Sequence, residues 1–148
     1  MSGKIQISVF DYDDEKEVVL LLSKAGLPTG DLTPEKLMKF LVARDDDGCV
    51  MAAIGIEIYG EVGLLRSLVV HPRQRGVGFG RRLTLEMEAC AREKGIKEVY
   101  LLTVTAPTYF PKLGYGVIRR ETVPGCIAET EEFKNICPQS AVCMMKRL

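Results

Sequence analysis

The feature that most constrains this chain is Arg75-Gly76-Val77-Gly78-Phe79-Gly80, set between an apolar run, Leu64 to Val70, and a run with helical spacing, Arg81 to Lys94. Glycines at alternate positions let the backbone take unusual angles and approach a ligand closely, and the first amides of the following helix lack a carbonyl one turn back. The positive end of the helix dipole lies behind them, so the turn predicts an anion site, with a diphosphate as its natural guest. Short glycine runs also occur in turns that bind nothing; the strand before this one and the helix after it give it meaning. A Walker loop would continue as Gly-Lys-Ser/Thr to hold magnesium, whereas here Gly80 is followed by Arg81 and Arg82. A dinucleotide-binding turn would be spaced Gly-x-Gly-x-x-Gly near the start of a doubly wound unit, which this mid-chain run is not. The spacing argues against both nucleotide hydrolysis and a Rossmann site.

Around this turn the chain reads as alternating elements. Ile5, Ile7 and Val9 predict a first strand, and an amphipathic helix follows from about Asp14 to Ala25, ended by Gly26. After the loop Leu27 to Asp31, Thr33 caps a short helix that opens on Pro34 and runs to about Lys39. Phe40 to Arg44 and Cys49 to Tyr59 form a hairpin through Asp45-Asp46-Asp47-Gly48. Beyond the glycine turn, Leu83, Met87, Cys90 and Ala91 recur at helical spacing up to Gly95, and Val99 to Val104 is a strand. Strand, helix and strand make a parallel crossover. A short helix (Ala106 to Lys112), a strand (Tyr115 to Arg119), a loop with a short helix (Thr122 to Ile136) and a terminal strand (Ala141 to Lys146) complete the reading.

At 148 residues and 47% apolar content, the chain has room for one well-buried core, so residues 1–148 are expected to form a single domain. Its 20 basic and 20 acidic residues cancel, which leaves no global field for nucleic acid or an anionic membrane. No apolar run reaches the roughly 18 to 20 residues of a membrane span, and Met1-Ser2-Gly3-Lys4 leads into a strand pattern rather than a signal peptide. A cytoplasmic protein with a small-molecule partner is expected. Five cysteines, Cys49, Cys90, Cys126, Cys137 and Cys143, contain no Cys-x-x-Cys pair, so no metal site or disulfide framework is signalled, and reduced, mostly buried thiols are expected. The single histidine, His71, reads as a turn residue before Pro72.

Leu68-Val69-Val70-His71-Pro72 leading into Arg75 to Gly80 resembles the Arg/Gln-x-x-Gly-x-Gly/Ala pyrophosphate motif of the GNAT superfamily of acetyl-CoA-dependent N-acetyltransferases. A second segment, Thr103-Val104-Thr105-Ala106 through Tyr109-Phe110-Pro111-Lys112-Leu113-Gly114-Tyr115, is similar to that family's Asn-x-x-Ala-x-x-x-Tyr-x-x-x-Gly-Phe pattern. The resemblance covers roughly residues 5 to 147. It implies an α/β (α+β) fold: a mixed, mainly antiparallel central sheet with helices on both faces and one parallel βαβ crossover carrying the glycine loop. It also implies acetyl-CoA as cofactor, held by Leu68, Val69, Val70, Arg75, Gly76, Val77, Gly78, Phe79, Gly80 and Arg81, with Arg82 nearby, and by Thr103, Ala106 and Phe110. Thr103 stands where the family often has Asn, and Phe110 where many members carry the tyrosine that protonates the leaving thiolate. Tyr109 and Tyr115 are the candidates for that role here, and Tyr59 a further one. Leu64 to Val70, Leu101-Leu102-Thr103 and Cys137 to Ala141 look like the acetyltransferases encoded with bacterial arsenic-resistance genes, with glutamate N-acetyltransferase domains next. Both imply acetylation of the amino group of a small amino-acid-like compound, and the superfamily admits a homodimer, to which Ala141 to Met145 could contribute.

Two polar residues interrupt the apolar strands. Glu57, between Ile56 and Ile58, is the candidate to take a proton from an acceptor ammonium, directly or through water, or else is a solvent-facing sheet residue. Arg66 is the candidate clamp for a substrate carboxylate or oxyacid, with Tyr59 beside it in the acceptor pocket, or else belongs to a structural ion pair. A non-catalytic acyl-CoA-binding module is the alternative to an enzyme.

Overall fold

Phe40 and Gly55 face each other across two strands, and a Cβ at Gly55 would run into the Phe40 ring; only glycine lets that buried aromatic lie flat on its neighbour. The pair belongs to β2 (Phe40–Arg44) and β3 (Val50–Tyr59) of a computed structural model that describes residues 6–76, 78–104 and 106–148. With β1 (Gln6–Val9), β4 (Val62–Val70), β5 (Glu98–Thr103), β6 (Gly116–Val117) and β7 (Val142–Arg147), they form a seven-stranded sheet of order β1-β2-β3-β4-β5-β7-β6. Pairing is antiparallel for β1 with β2, β2 with β3, β5 with β7 and β6 with β7. β4 and β5 run parallel from Val62–Glu98 to Leu64–Tyr100, joined by the crossover that carries the glycine turn. This is the mixed, mainly antiparallel α/β fold expected.

The helices are α1 (Glu15–Lys24), α2 (Pro34–Leu37), α3 (Phe79–Glu93) and α4 (Gly125–Ala128). Val18 and Leu22, one turn apart on α1, are fully buried. Gly26 ends the helix at φ 75°, an angle that L side chains avoid. The Thr33 hydroxyl accepts from Lys36 N at 3.2 Å and Pro34 fills the first helical position, as the sequence predicts. Asp45 Oδ1 accepts from Asp47 N and Cys49 N, so the acidic turn closes the β2–β3 hairpin as a side-chain-capped loop.

The chain divides into two compact units, Met1–Ile56 with Ser67–Glu88, and Glu57–Arg66 with Ala89–Leu148. In the first, Val18, Leu22 and Leu37 pack with Phe40, Val42 and Val69; each such burial is worth about 1.5–3 kcal/mol. In the second, Leu64, Tyr100, Ile127, Phe133 and Cys143 form the core.

Four local expectations change. Val9 is 70% exposed on an edge strand rather than turned to a core, and Ile5 lies outside the described residues. The helix expected over Ala106 to Lys112 is turns followed by a 3-10 segment, Phe110–Leu113, because Pro107 and Pro111 supply no amide donors. The strand at Tyr115 to Arg119 shortens to Gly116–Val117. None of the five thiols is in a disulfide, but they are mostly not buried: Cys49 sits in the hairpin turn and Cys126 at the exposed start of α4, and Cys143 in β7 is the buried one. Burial pushes the Cys143 thiol up to about 11, so it stays protonated.

Candidate functional site

β4 changes character at Ser67, the one non-glycine residue at positive φ (59°) among the described residues. Holding an L residue there costs roughly 1–2 kcal/mol, and such strain gathers where a strand is re-aimed for function. Beyond it, Val69 is buried in the first unit's core while Leu68 and Val70 are half-buried. A cavity of about 360 Å³ opens beside Val69, Val70 and Arg75, with Leu20, Leu21 and Lys24 of α1 among its other walls. His71 holds the strand's exit: its amide donates to Met51 O at 2.7 Å and its Nδ1 accepts from Arg73 N, the turn role the sequence predicts.

Gly76 and Gly78 stand at φ 84° and 88°, and a Cβ on either would meet nothing within 4 Å. Glycine is therefore required for the backbone angle, and the space beside it is open. Arg82 N donates to Gly78 O at 3.0 Å, which starts α3 two residues earlier than expected and makes Phe79 and Gly80 its first residues. No acidic side chain enters the first turn of this fifteen-residue helix. Arg81 and Arg82 are exposed, and Arg75 Nε donates to Val70 O at 3.0 Å. Amides and guanidinium groups with no opposing carboxylate in the turn fit a diphosphate. Val77 lies outside the described residues, as does Thr105.

In the second unit, Thr103 Oγ1 accepts from Ala106 N at 3.0 Å, so the residue replacing the family's Asn caps its own turn. Phe110 is 6% exposed and meets Tyr109 and Tyr115 edge to face, at 5.3 and 5.7 Å between ring centroids. Tyr115 is buried, with Lys146 Nζ 5.6 Å from its ring, while Tyr109 is half-buried on an irregular turn.

The same unit brings Glu57, Tyr59 and Arg66 together. Arg66 Nη1 lies 2.7 Å from Glu57 Oε2, the Tyr59 hydroxyl donates to Glu57 Oε1, and the Arg66 and Glu57 side chains are 0% and 7% exposed. Glu57 is thus not a solvent-facing sheet residue. Burial, reinforced by the Glu57 carboxylate, pushes the Tyr59 phenol well above its usual 10, which keeps it a proton donor. Arg66 Nε also lies 3.9 Å from Glu132 Oε1, whose side chain is 5% exposed. Sequence spacing does not single out Glu132. It follows Glu131 in a segment without periodicity, and nothing local separates a buried carboxylate from a solvated one. Among the described residues no group of three or more His, Cys, Asp or Glu could hold a metal ion, and no helix is long and apolar enough to cross a membrane.

Residues 36–117, more than half of the chain, match the family described as Acetyltransferase (GNAT) domain. An uncharacterized N-acetyltransferase of Chlorobaculum tepidum is 34% identical over 110 residues, covering 74% of this chain and 68% of the relative. An amino-acid acetyltransferase of Ralstonia nicotianae is 33% identical over 73 residues, 48% of this chain and 16% of its own length. Among solved structures, N-acetylglutamate synthase from Neisseria gonorrhoeae, complexed with coenzyme A and N-acetyl-glutamate, superposes with a TM-score of 0.84 at 17% identity, over 100% of this chain and 36% of the synthase chain. A Mycobacterium tuberculosis protein in complex with CoA gives 0.82 at 18% identity over 97% of this chain and 99% of its own. The chain therefore spans about a third of the synthase and nearly all of the mycobacterial protein, and at these identities the two share its fold. With the glycine turn, the crossover and the mixed sheet in place, the match assigns the chain to the acetyltransferase (GNAT) domain family, whose enzymes use acetyl-CoA.

Proposed function

We propose that this chain is an acetyl-CoA-dependent N-acetyltransferase that moves acetyl to the amino group of a small amino-acid-like acceptor by direct attack. The observation that carries this reading is the buried Glu57–Arg66 pair with Tyr59 on Glu57. It supplies a carboxylate to take a proton and a guanidinium to meet an acid group, in a family whose relatives include an amino-acid acetyltransferase.

The amides of Phe79 and Gly80, together with Gly76, Val77, Gly78, Arg75, Arg81 and Arg82, hold the cofactor's diphosphate in this reading. The backbone of Leu68, Val69 and Val70 holds its pantetheine arm, with an amide there for the developing oxyanion. Thr103, Ala106 and Phe110 are further cofactor contacts. Bound acetyl-CoA supplies an activated thioester carbonyl. Glu57 accepts the proton that the acceptor's ammonium must lose, because an amine near pKa 9–10 is mostly charged at neutral pH. Arg66 and Tyr59 orient the acceptor's acid group. Tyr109, less buried than Tyr115, protonates the leaving sulfur in place of Phe110. Tyr109→Phe is expected to lower kcat by more than about threefold and Tyr115→Phe by less; equal small effects would leave the proton to solvent.

Both units together make one acetyltransferase domain, a reading supported by the family match, which runs through segments of each. A cytoplasmic location, a homodimer and the absence of nucleic-acid or membrane partners are the accompanying proposals, and the balanced charge supports the last of them. The finer reading, detoxification of arsenic or phosphinic amino acid analogues, rests on the likeness at Leu64 to Val70, Leu101 to Thr103 and Cys137 to Ala141. Thiol release from acetyl-CoA, measured across amino acids and their phosphinic and arsinic analogues, tests both levels. Release with an amino acid but with neither analogue would reject the finer reading alone. Cofactor binding without release for any acceptor would favour a non-catalytic acyl-CoA-binding module, the alternative raised by Phe110, which has no proton to give.

A further inference from the structure

Arg66 has its charge met by Glu57 at 2.7 Å, yet a second carboxylate, Glu132, is buried 3.9 Å from its Nε. Glu57 meets one corner of a guanidinium that carries five N–H donors, and Glu132 brings a second buried carboxylate, with its own desolvation cost, to another edge. The segment bearing Glu132 is also unusual. Glu132–Ile136 is a π-helical turn, with Glu132 O accepting from Cys137 N at 2.9 Å, five residues on. π turns are rare and recur at functional sites, because the extra residue re-aims a side chain. This one is braced by Arg120, whose Nη2 donates to Phe133 O at 2.6 Å and Nη1 to Pro138 O at 2.9 Å. The Thr130 hydroxyl, which accepts from Phe133 N, adds a brace from the preceding turn.

We propose that Glu132 is a positioning residue of the acceptor site: it holds the Nε edge of Arg66 while Glu57 holds the Nη1 corner, so the guanidinium is fixed in one orientation before an acceptor arrives. A planar guanidinium anchored at one corner can still swing about that contact, whereas a second anchor on another edge removes the motion. At 3.9 Å the contact between Arg66 Nε and Glu132 Oε1 is longer than a hydrogen bond, so through this edge the carboxylate acts by its charge. This inference rests on the proposal that Arg66 meets the acceptor's acid group.

The experiment compares wild type with Glu132→Gln, Glu132→Asp and Arg66→Lys. Kinetics resolve acceptor KM, acetyl-CoA KM and kcat, and guanidinium-selective NMR follows Arg66 Nε–H without acceptor, its resonance assigned by its loss in Arg66→Lys. Expected for Glu132→Gln is an acceptor KM about tenfold higher, an acetyl-CoA KM within about twofold of wild type, and a broadened Arg66 signal. Glu132→Asp restores the signal and most of the KM, and Glu132→Gln adds less than about twofold in the Arg66→Lys background. An unchanged Arg66 signal, or kcat and both KM values deteriorating together in Glu132→Gln and Glu132→Asp alike, overturns the proposal. If Glu132→Gln fails to fold, a sharp Arg66 signal with wild-type acceptor KM in Glu132→Asp supports it, and a broadened signal with raised acceptor KM overturns it. Should wild type acetylate no acceptor, the functional reading fails, while the Arg66 signal still decides whether Glu132 positions the guanidinium.

Discussion

The glycine turn and the Arg66 cluster solve opposite problems. The turn is built from backbone, with Arg75, Gly76 and Gly78 exposed, both glycines at positive φ, and the amides of Phe79 and Gly80 at the head of α3. Glu57, Tyr59, Arg66 and Glu132 form a site of side chains, three of them charged and nearly excluded from water. A backbone site tolerates change in its neighbours provided the angles survive. A buried charged site depends on every partner, because removing one leaves another uncompensated in a medium that solvates it poorly.

The sharpest way to break this contrast is Arg66→Met, which strands Glu57 and Glu132. It is expected to cost about 3–5 kcal/mol in urea unfolding, and a loss below about 1 kcal/mol would mean that water reaches the cluster. Next comes Glu57→Gln, which keeps the shape but removes the proposed proton acceptor. Turnover should fall about 100-fold with acetyl-CoA affinity unchanged by calorimetry. A parallel loss of cofactor affinity would erase the division between the two regions.

Gly78→Ala probes the other side. A Cβ there has room, so the cost is the backbone angle alone, about 1 kcal/mol, read as roughly fivefold weaker acetyl-CoA binding with acceptor KM unmoved. An unchanged affinity would show that the turn need not hold that angle. The smallest effect tests how buried phenols report on the second unit. Burial, helped by Glu98, raises Tyr100 to about 12 from its usual 10. The stability this phenol contributes is full below pH 10, where both folded and unfolded forms are protonated, and is lost as pH rises towards 12. Urea midpoints across that window should therefore fall less steeply in Tyr100→Phe than in wild type; identical slopes would place the loss elsewhere.

Much of the fold was legible because its signals are local. Thr33-Pro34 marks a helix start, Gly26 a helix end and Asp45 to Gly48 a hairpin, and each stands where the spacing predicts. Proline chemistry outweighs aromatic spacing at Ala106 to Lys112, and an edge strand leaves Val9 in solvent, so neither follows from local pattern. Exposure of the thiols could not be read from composition either, since Cys49 and Cys126 take theirs from the turns that carry them.

Sequence by itself determined the glycine turn and the crossover around it, because glycine angles and helix-end amides are properties of a few adjacent residues. Tertiary structure decided the partners of Arg66. Glu57 is nine residues away and Glu132 sixty-six, and whether a carboxylate is solvated or buried against a guanidinium depends on what the fold packs around it.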